Sequence, residues 1–399
     1  MSTPLALSIF WFLMMGAMGL FFPFYALYLR ENAALSGTEV GLVYAMVPLV
    51  SLFAPTLWGR VADRAASRAR VLALVVAGSG LGLFLLGTLE GFRELLAGTA
   101  LFACFSTAVI PLGISVSLTG LGDEGQYLFG RVRVWGTVGF LLLVVACPWL
   151  LDAVQDFRGL RPVAGGPSEP GLEIVFFVAG ALTLCAAIVP LAIRDAGQLS
   201  RRAAAGEWRA LFAHRPFRRM LVFGFLSYLC LQGPMNFFPA YVRSRGGGLD
   251  EVSGMWLAML LPEIPLVALA GTGLRRIGAR GLLTGGVVAG GLRWTVCAAT
   301  ASLPVIYAMQ LLHGPVVAGL LMGSPLYIDA VVPLRLRSTA QGLLAMAAVG
   351  LGGITSSVVS GWVLDRFGIE ALYALAGASA LLLGGAAFML LPTPAPPEE

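Results

Sequence analysis

The chain has 399 residues, of which 58% are hydrophobic and only 12% charged, and its mean hydropathy is +0.86. Soluble domains carry about 25% charged residues, so a water-soluble globular protein is excluded and an integral membrane protein is implied. The formal net charge of +5 rests on arginine alone, since there is no lysine, and the arginines gather in loops between apolar stretches. That pattern orients a chain in a bilayer and does not point to nucleic acid.

A stretch of roughly 20 apolar residues is read as a spanning helix. Twelve fit in chain order: 5–29, 40–58, 71–89, 95–118, 132–151, 174–193, 218–241, 252–272, 281–300, 304–331, 339–362 and 370–391. Met1 to Pro4 carries no positive charge, the first charge is Arg30 and no small-residue cleavage site follows, so no signal peptide is expected. Gln155 to Gly171 is rich in Gly and Pro and reads as a flexible outer loop. Arg194 to Pro216 is charged and Ala-rich and reads as a short amphipathic helix at the midpoint. The domain reading is an amino-terminal bundle 1–193, a cytoplasmic linker 194–217, a carboxy-terminal bundle 218–391 and a tail 392–399. Eighteen arginines, Arg60, Arg209 and Arg335 among them, fall in the linker and the loops of one face. Seven fall on the other, and Arg293 is inside a span. The excess places both termini in the cytoplasm. Cys104, Cys147, Cys185, Cys230 and Cys297 lie in apolar segments without a C-x-x-C spacing and are read as small hydrophobes.

The halves repeat. Phe21-Phe22-Pro23-Phe24-Tyr25 is answered by Phe237-Phe238-Pro239-Ala240-Tyr241, Gly59-x-x-x-Asp63-Arg64 by Gly271-x-x-x-Arg275-Arg276, and Arg131-x-Arg133 by Arg335-x-Arg337. Three matches in one order, each about 210 residues apart, predict two pseudo-symmetric six-helix bundles.

Glu263, Arg293 and His313 stand one to a segment in the eighth, ninth and tenth segments. At 1.5 Å per residue they lie roughly 14–18 Å from the segment starts, near the midplane of a core about 30 Å thick. Charges there are costly and commonly mark ion or substrate paths. Burial disfavours the charged carboxyl, a nearby guanidinium favours it, and imidazole titrates in the useful range. The three therefore form a candidate proton-coupling group, with a static Glu263–Arg293 bridge as the competing reading. Asp329 lies near a segment end beside Arg335 and Arg337 and reads as an interfacial ion pair. Pro262 adjoins Glu263 and Pro315 lies two residues from His313, so local unwinding is expected beside the charged group. Gly78-x-Gly80-x-Gly82 sits inside a span with no preceding strand and is not a phosphate loop. The aromatics of the first segment are mostly packing, although Tyr25 could present its hydroxyl to a cavity.

Gly59-Arg60-Val61-Ala62-Asp63-Arg64 resembles the G-x-x-x-D-R signature of the major facilitator superfamily. The chain is similar, more narrowly, to the branch holding lactose permease, nucleoside–proton symporters and phenylpropionate permeases. The matches are Gly19-x-Phe21-x-Pro23-Phe24, Phe129-Gly130-Arg131-Val132-Arg133 and Val332-Pro333-x-Arg335-x-Arg337-x-Thr339-Ala340, together with Glu263, Arg293 and His313. The resemblance implies an all-α membrane protein of twelve helices in two six-helix bundles. It implies that Arg133, Phe140, Gln232, Asn236 and Glu263 contact substrate, and that Glu263, Arg293 and His313 couple the proton. Asp63 and Arg64 suit a cytoplasmic charge latch that gates opening. The second-half copy has Arg275 in place of the acid, so one latch is expected rather than two. Two departures stand out: Val316 occupies the place of a proton-carrying carboxylate three residues beyond His313, and no acid lies near Ser115. Proton coupling then rests on Glu263.

The reading is a monomeric secondary transporter in a bacterial inner membrane, moving a small organic metabolite with a proton by alternating access. An aromatic acid, a nucleoside and a sugar-like compound all fit. A uniporter or proton-driven exporter is the alternative, and a membrane sensor a more distant one. With only His214 and His313 and no nucleophile–base pairing, neither an enzyme nor a metal site is expected. No cofactor is expected beyond the proton gradient.

Overall fold

A computed structural model describes residues 2–122, 125–162, 167–193 and 208–392, without the side chains at 125–126, 208–210, 264 and 267–276. Most of the expected linker (194–207), part of the outer loop (163–166) and nearly all of the tail (393–399) lie outside the described residues.

The described chain is helical. α1 spans Thr3–Asn32, its last five residues wound as a π turn. α2 spans Gly37–Arg64 and opens with a capping box: Ser36 Oγ accepts from the Glu39 amide and the Glu39 carboxylate accepts from the Ser36 amide. α3 (Arg68–Leu86), capped by Ser67, α4 (Phe92–Leu121), α5 (Gly125–Arg158) and α6 (Ile174–Ala192) follow. A short helix, Trp208–Ala213, leads into α7, whose pieces Arg215–Asn236 and Phe238–Ser244 meet at 50°. The helical run Leu249–Ala299 is divided at Gly278, at φ 69° and ψ 170°, into α8 (249–277) and α9 (279–299). α10 (Leu303–Val331) is interrupted. The run Leu334–Leu390 is divided at Gly368, at φ 83° and ψ 174°, into α11 (334–367) and α12 (369–390). Both divisions need a backbone that only glycine adopts without strain.

Divided at Gly278 and Gly368, the described helices agree with the apolar segments in number and order, and several run longer. α5 ends at Arg158 rather than near residue 151, because Asp152, Asp156 and Arg158 continue the helix beyond its apolar stretch. Apolar length measures the hydrocarbon layer, and a helix can continue into the headgroups.

Two compact units result: Met1–Arg201 with Leu249–Ser253, and Arg202–Gly248 with Gly254–Glu399. Lipid tails are as apolar as leucine, so close packing and interhelical hydrogen bonds hold such bundles rather than withdrawal from water. In the first unit α1 lies directly on α5: a methyl group at Gly19 would sit 2.5 Å from the Phe140 carbonyl oxygen, and one at Gly139 would meet Phe12 O. In the second unit α7 meets α11 at Gly233. The Ser356 hydroxyl accepts from the Gly233 amide (2.7 Å) and donates to Leu229 O (2.7 Å), inserting itself into the α7 ladder. One residue on, Pro234 supplies no amide, and its carbonyl accepts from the Tyr373 hydroxyl at 2.7 Å. The pieces meet at Phe237, just past this insertion and Pro234, and Pro239 in the next turn has no amide to give Met235 O. The inserted side chain and the two prolines together account for the bend in α7.

Candidate functional site

Of the three midplane ionisable residues, all are brought into one cluster of the second unit. Arg293 is 2% exposed on α9. Its Nε donates to Gln310 Oε1 at 3.0 Å, and its Nη2 also donates to that oxygen. Nη1 lies 3.1 Å from His313 Nδ1. Nη2 further meets the sulfurs of Met259 (3.4 Å) and Met235 (3.8 Å). The guanidinium carbon sits 4.0 Å from the Trp294 ring centre and 5.6 Å from that of Phe238. On its other edge His313 presents Nε2 to Glu263 Oε2 at 3.7 Å. The sequence-based alternative of a direct Glu263–Arg293 bridge is thus replaced by a chain, Glu263–His313–Arg293–Gln310, with the imidazole between acid and base.

Helix architecture makes this arrangement. Pro315 has no amide to give Leu311 O, and α10 breaks into Leu303–Gln310, His313–Val317, a π turn Ala318–Met322 and Gly323–Val331. Across the break the bonds tighten to Leu311 N–Ala308 O (3.2 Å) and Leu312 N–Met309 O (3.1 Å). The expected local unwinding therefore lies between Gln310 and His313, the two α10 residues that hold Arg293. Glycines set the depth of approach: a methyl group on Gly314 would lie 3.4 Å from Glu263 Cα, and one on Gly319 would lie 2.6 Å from Leu282 O.

Beside the chain lies a cleft of about 260 Å³ whose polar lining comes from Ser227, Tyr228, Gln232, Arg293, Trp294 and His313. The rest of its wall is apolar and includes Leu320 and Val316, so the missing carboxylate leaves a methyl-bearing surface where an acid was sought. Gln232 donates to Asn236 Oδ1 (3.0 Å), and Asn236, 6% exposed, donates to Ser357 Oγ (3.1 Å). Asn236 thus stands behind Gln232 against α11, and Gln232 alone of the two reaches the cleft.

The first-unit candidates are dispersed. Arg133 is half-buried on α5, its guanidinium carbon 4.6 Å from the Trp11 ring centre and Nη2 3.6 Å from Met15 Sδ. Trp11 in turn donates to Ser117 Oγ at 3.1 Å. Phe140 packs partly buried on the apolar core around Phe10, Trp11 and Met15. Tyr25, expected to offer its hydroxyl to a cavity, is 2% exposed and donates instead to Thr99 Oγ1 (2.5 Å), which donates to Leu95 O (2.6 Å). Asp63 pairs not with its neighbour Arg64, which is exposed, but with Arg68 at 2.9 Å across the α2–α3 turn. The counterpart side chains Arg275 and Arg276 lie outside the described residues. Asp329 makes the expected interfacial pair, with Oδ1 3.7 Å from Arg337 Nε.

Gln310, Trp294, Met235 and Met259 were not singled out from the sequence. Gln310, 0% exposed, carried a signal: an amide within an apolar segment, one turn before His313.

The MFS_1 like family matches residues 5–375. The chain is 27% identical over 370 residues to a maltose permease of Geobacillus stearothermophilus, covering 92% of this chain and 89% of that protein. It is 26% identical over 306 residues to a probable 3-phenylpropionic acid transporter of Escherichia coli (strain K12), covering 74% of each. The crystal structure of nucleoside transporter NupG superposes with a TM-score of 0.85 at 18% identity, covering 98% of this chain and 100% of that one, so the fold is shared.

Proposed function

The chain belongs to the MFS_1 like family and is a multi-pass membrane transporter rather than an enzyme, and we propose that it carries a small organic metabolite together with a proton. The observation that supports this reading most is the Glu263–His313–Arg293 chain beside a cleft in one unit. A carboxyl held one imidazole away from a buried guanidinium can exchange its proton when the surroundings change from water to protein. Arg133 and Gln232 serve as substrate contacts in this reading, while the energy comes from the proton gradient across a bacterial inner membrane, with both termini cytoplasmic. The relatives' names span a disaccharide, a nucleoside and an aromatic acid, and each is a member of the substrate class proposed.

The test is substrate-induced alkalinisation of cells expressing wild type or Glu263→Gln, across aromatic acids, nucleosides and sugars. Symport through Glu263 requires one compound that moves protons with wild type and is bound by the variant without proton movement. A compound that enters equally well in both, with no proton signal, returns Glu263 to a structural role. One observation favours a second reading, a uniporter or exporter: Val316, not an acid, lines the cleft. A proton gradient imposed on vesicles separates the two, because a uniporter does not concentrate its substrate.

A further inference from the structure

The charge balance of the second unit narrows the cargo. Arg293 is buried, and among the described residues no carboxylate lies within ion-pair distance of it. Its close partners are an amide oxygen, an imidazole nitrogen, two thioether sulfurs and two aromatic rings. None carries a negative charge, and thioethers are weak acceptors. A buried cation is ordinarily paired, because an unpaired one loses hydration with nothing in return. Glu263 meets the far edge of His313, its Oε2 3.7 Å from Nε2.

A second, independent observation sits in the same place. Trp294 is 2% exposed, lines the cleft, and its indole N–H meets no acceptor among the described residues. A buried donor without an acceptor costs free energy until an acceptor arrives. A cation and an unsatisfied donor thus sit on adjacent residues that both line the cleft, against a wall that is otherwise mostly apolar.

We propose that the transported molecule is a small organic anion, a carboxylate on an apolar body, whose carboxyl is held by Arg293 and the Trp294 N–H. This deepens the transport reading above and rests on it. Neutral polyols are poorly served: a sugar presents many hydroxyls, whereas beyond Arg293, Trp294 and His313 the polar groups of this wall are Ser227, Tyr228 and Gln232. Of these, the Ser227 hydroxyl already donates to Phe223 O and the Gln232 amide to Asn236. The same geometry links the two cargoes. When Glu263 takes a proton, the carboxylate one imidazole away from Arg293 is neutralised, and a substrate carboxylate supplies the negative charge in its place. Anion and proton then bind in support of one another, and one of each crosses with no net charge.

The experiment uses full-length protein, purified in detergent and also reconstituted in vesicles. Ligand-induced thermal stabilisation is measured with phenylacetate, its isostere phenylacetamide, uridine and maltose, on wild type, Arg293→Gln and Trp294→Phe. The expected result is stabilisation by phenylacetate alone, abolished in Arg293→Gln. Should Arg293→Gln fail to fold, Trp294→Phe decides: it keeps the ring, removes only the N–H, and should weaken phenylacetate by about ten-fold, as for one lost hydrogen bond to a charged group. Uptake of phenylacetate into vesicles should respond to a pH gradient and not to membrane potential. Equal stabilisation by phenylacetamide, no response to phenylacetate, or an undiminished Trp294→Phe overturns the anion assignment. If uridine or maltose is instead concentrated by a proton gradient, the anion assignment fails while the transport reading stands. If phenylacetate binds as expected but the vesicles never concentrate it under a proton gradient, the proton-coupled reading fails while the anion site stands.

Discussion

His313 stands between Glu263 and Arg293, and the guanidinium fixes how its ring is protonated. Arginine has only donors, so the Nδ1 atom 3.1 Å from Nη1 must offer a lone pair, and the ring proton resides on Nε2, facing Glu263. Gln310 anchors the other end through one oxygen that accepts two Arg293 donors. Gln310→Leu leaves Nε buried without a partner and Nη2 with only two weak thioether acceptors, and a loss of about 1–3 kcal/mol is expected, read as a lower thermal midpoint of the purified protein. Tyr25→Phe removes one interior hydrogen bond to Thr99 and should cost about 1 kcal/mol while leaving uptake at the wild-type rate. A fall in substrate affinity in that variant would restore Tyr25 to the binding site. Charge made Glu263, Arg293 and His313 legible in the sequence, because an ionisable residue at the midplane is conspicuous. Depth along a helix says nothing of rotation about its axis, and so the interposed imidazole and the uncharged partners Gln310 and Trp294 escaped notice. Asp63 was found for its signature, but its pairing with Arg68 depends on how the α2–α3 turn folds back.

Helix α10 shows what a spanning segment gains by being broken. Proline at position 315 frees a carbonyl, the chain steps through shorter-range bonds at Leu311 and Leu312, and two polar side chains emerge on a face that reaches α9. Pro315→Ala returns the missing amide and should lengthen the regular helix. The purified variant is expected to be at least as thermally stable as wild type, yet slower in uptake. Unchanged uptake would show that the break is incidental. Below it, Gly319 holds α10 against α9, and Gly319→Ala places a methyl group 2.6 Å from Leu282 O. Because that neighbour is backbone, the helices must part, and about 1–3 kcal/mol of destabilisation is expected in thermal unfolding. Span number and order were legible from apolar runs alone. Span ends were not, since polar residues such as Asp156 extend a helix past its hydrocarbon stretch, and the breaks between spans at Gly278 and Gly368 depend on backbone angles no composition reveals.

At the scale of the whole chain, the repeat and the arginine bias carry the organisation. Each unit lays one arginine on a tryptophan ring, Arg133 on Trp11 and Arg293 on Trp294, with a methionine sulfur alongside. The two contacts are not part of the repeat, which pairs Arg133 on α5 with Arg337 at the start of α11 and not with Arg293 on α9. The arginine excess predicts orientation. In a background with the five native cysteines replaced, Arg64→Cys should be labelled by a membrane-impermeant thiol reagent only from the cytoplasmic side, and Arg161→Cys only from the opposite side. The reverse pattern would invert the topology.

The interruption in α10 has a consequence for the chain's breathing. Amides in regular spanning helix, shut away from water by lipid and neighbouring helices, should retain their hydrogens for long periods in deuterated solvent, whereas at the break Leu311 and Leu312 donate only to carbonyls three residues back and Pro315 has no amide for Leu311 O. The stretch that grips the guanidinium is therefore the one expected to exchange earliest within its helix. A bound cargo that tightens Gln310 and His313 around Arg293 should slow that exchange locally, leaving a footprint of occupancy written in isotope uptake.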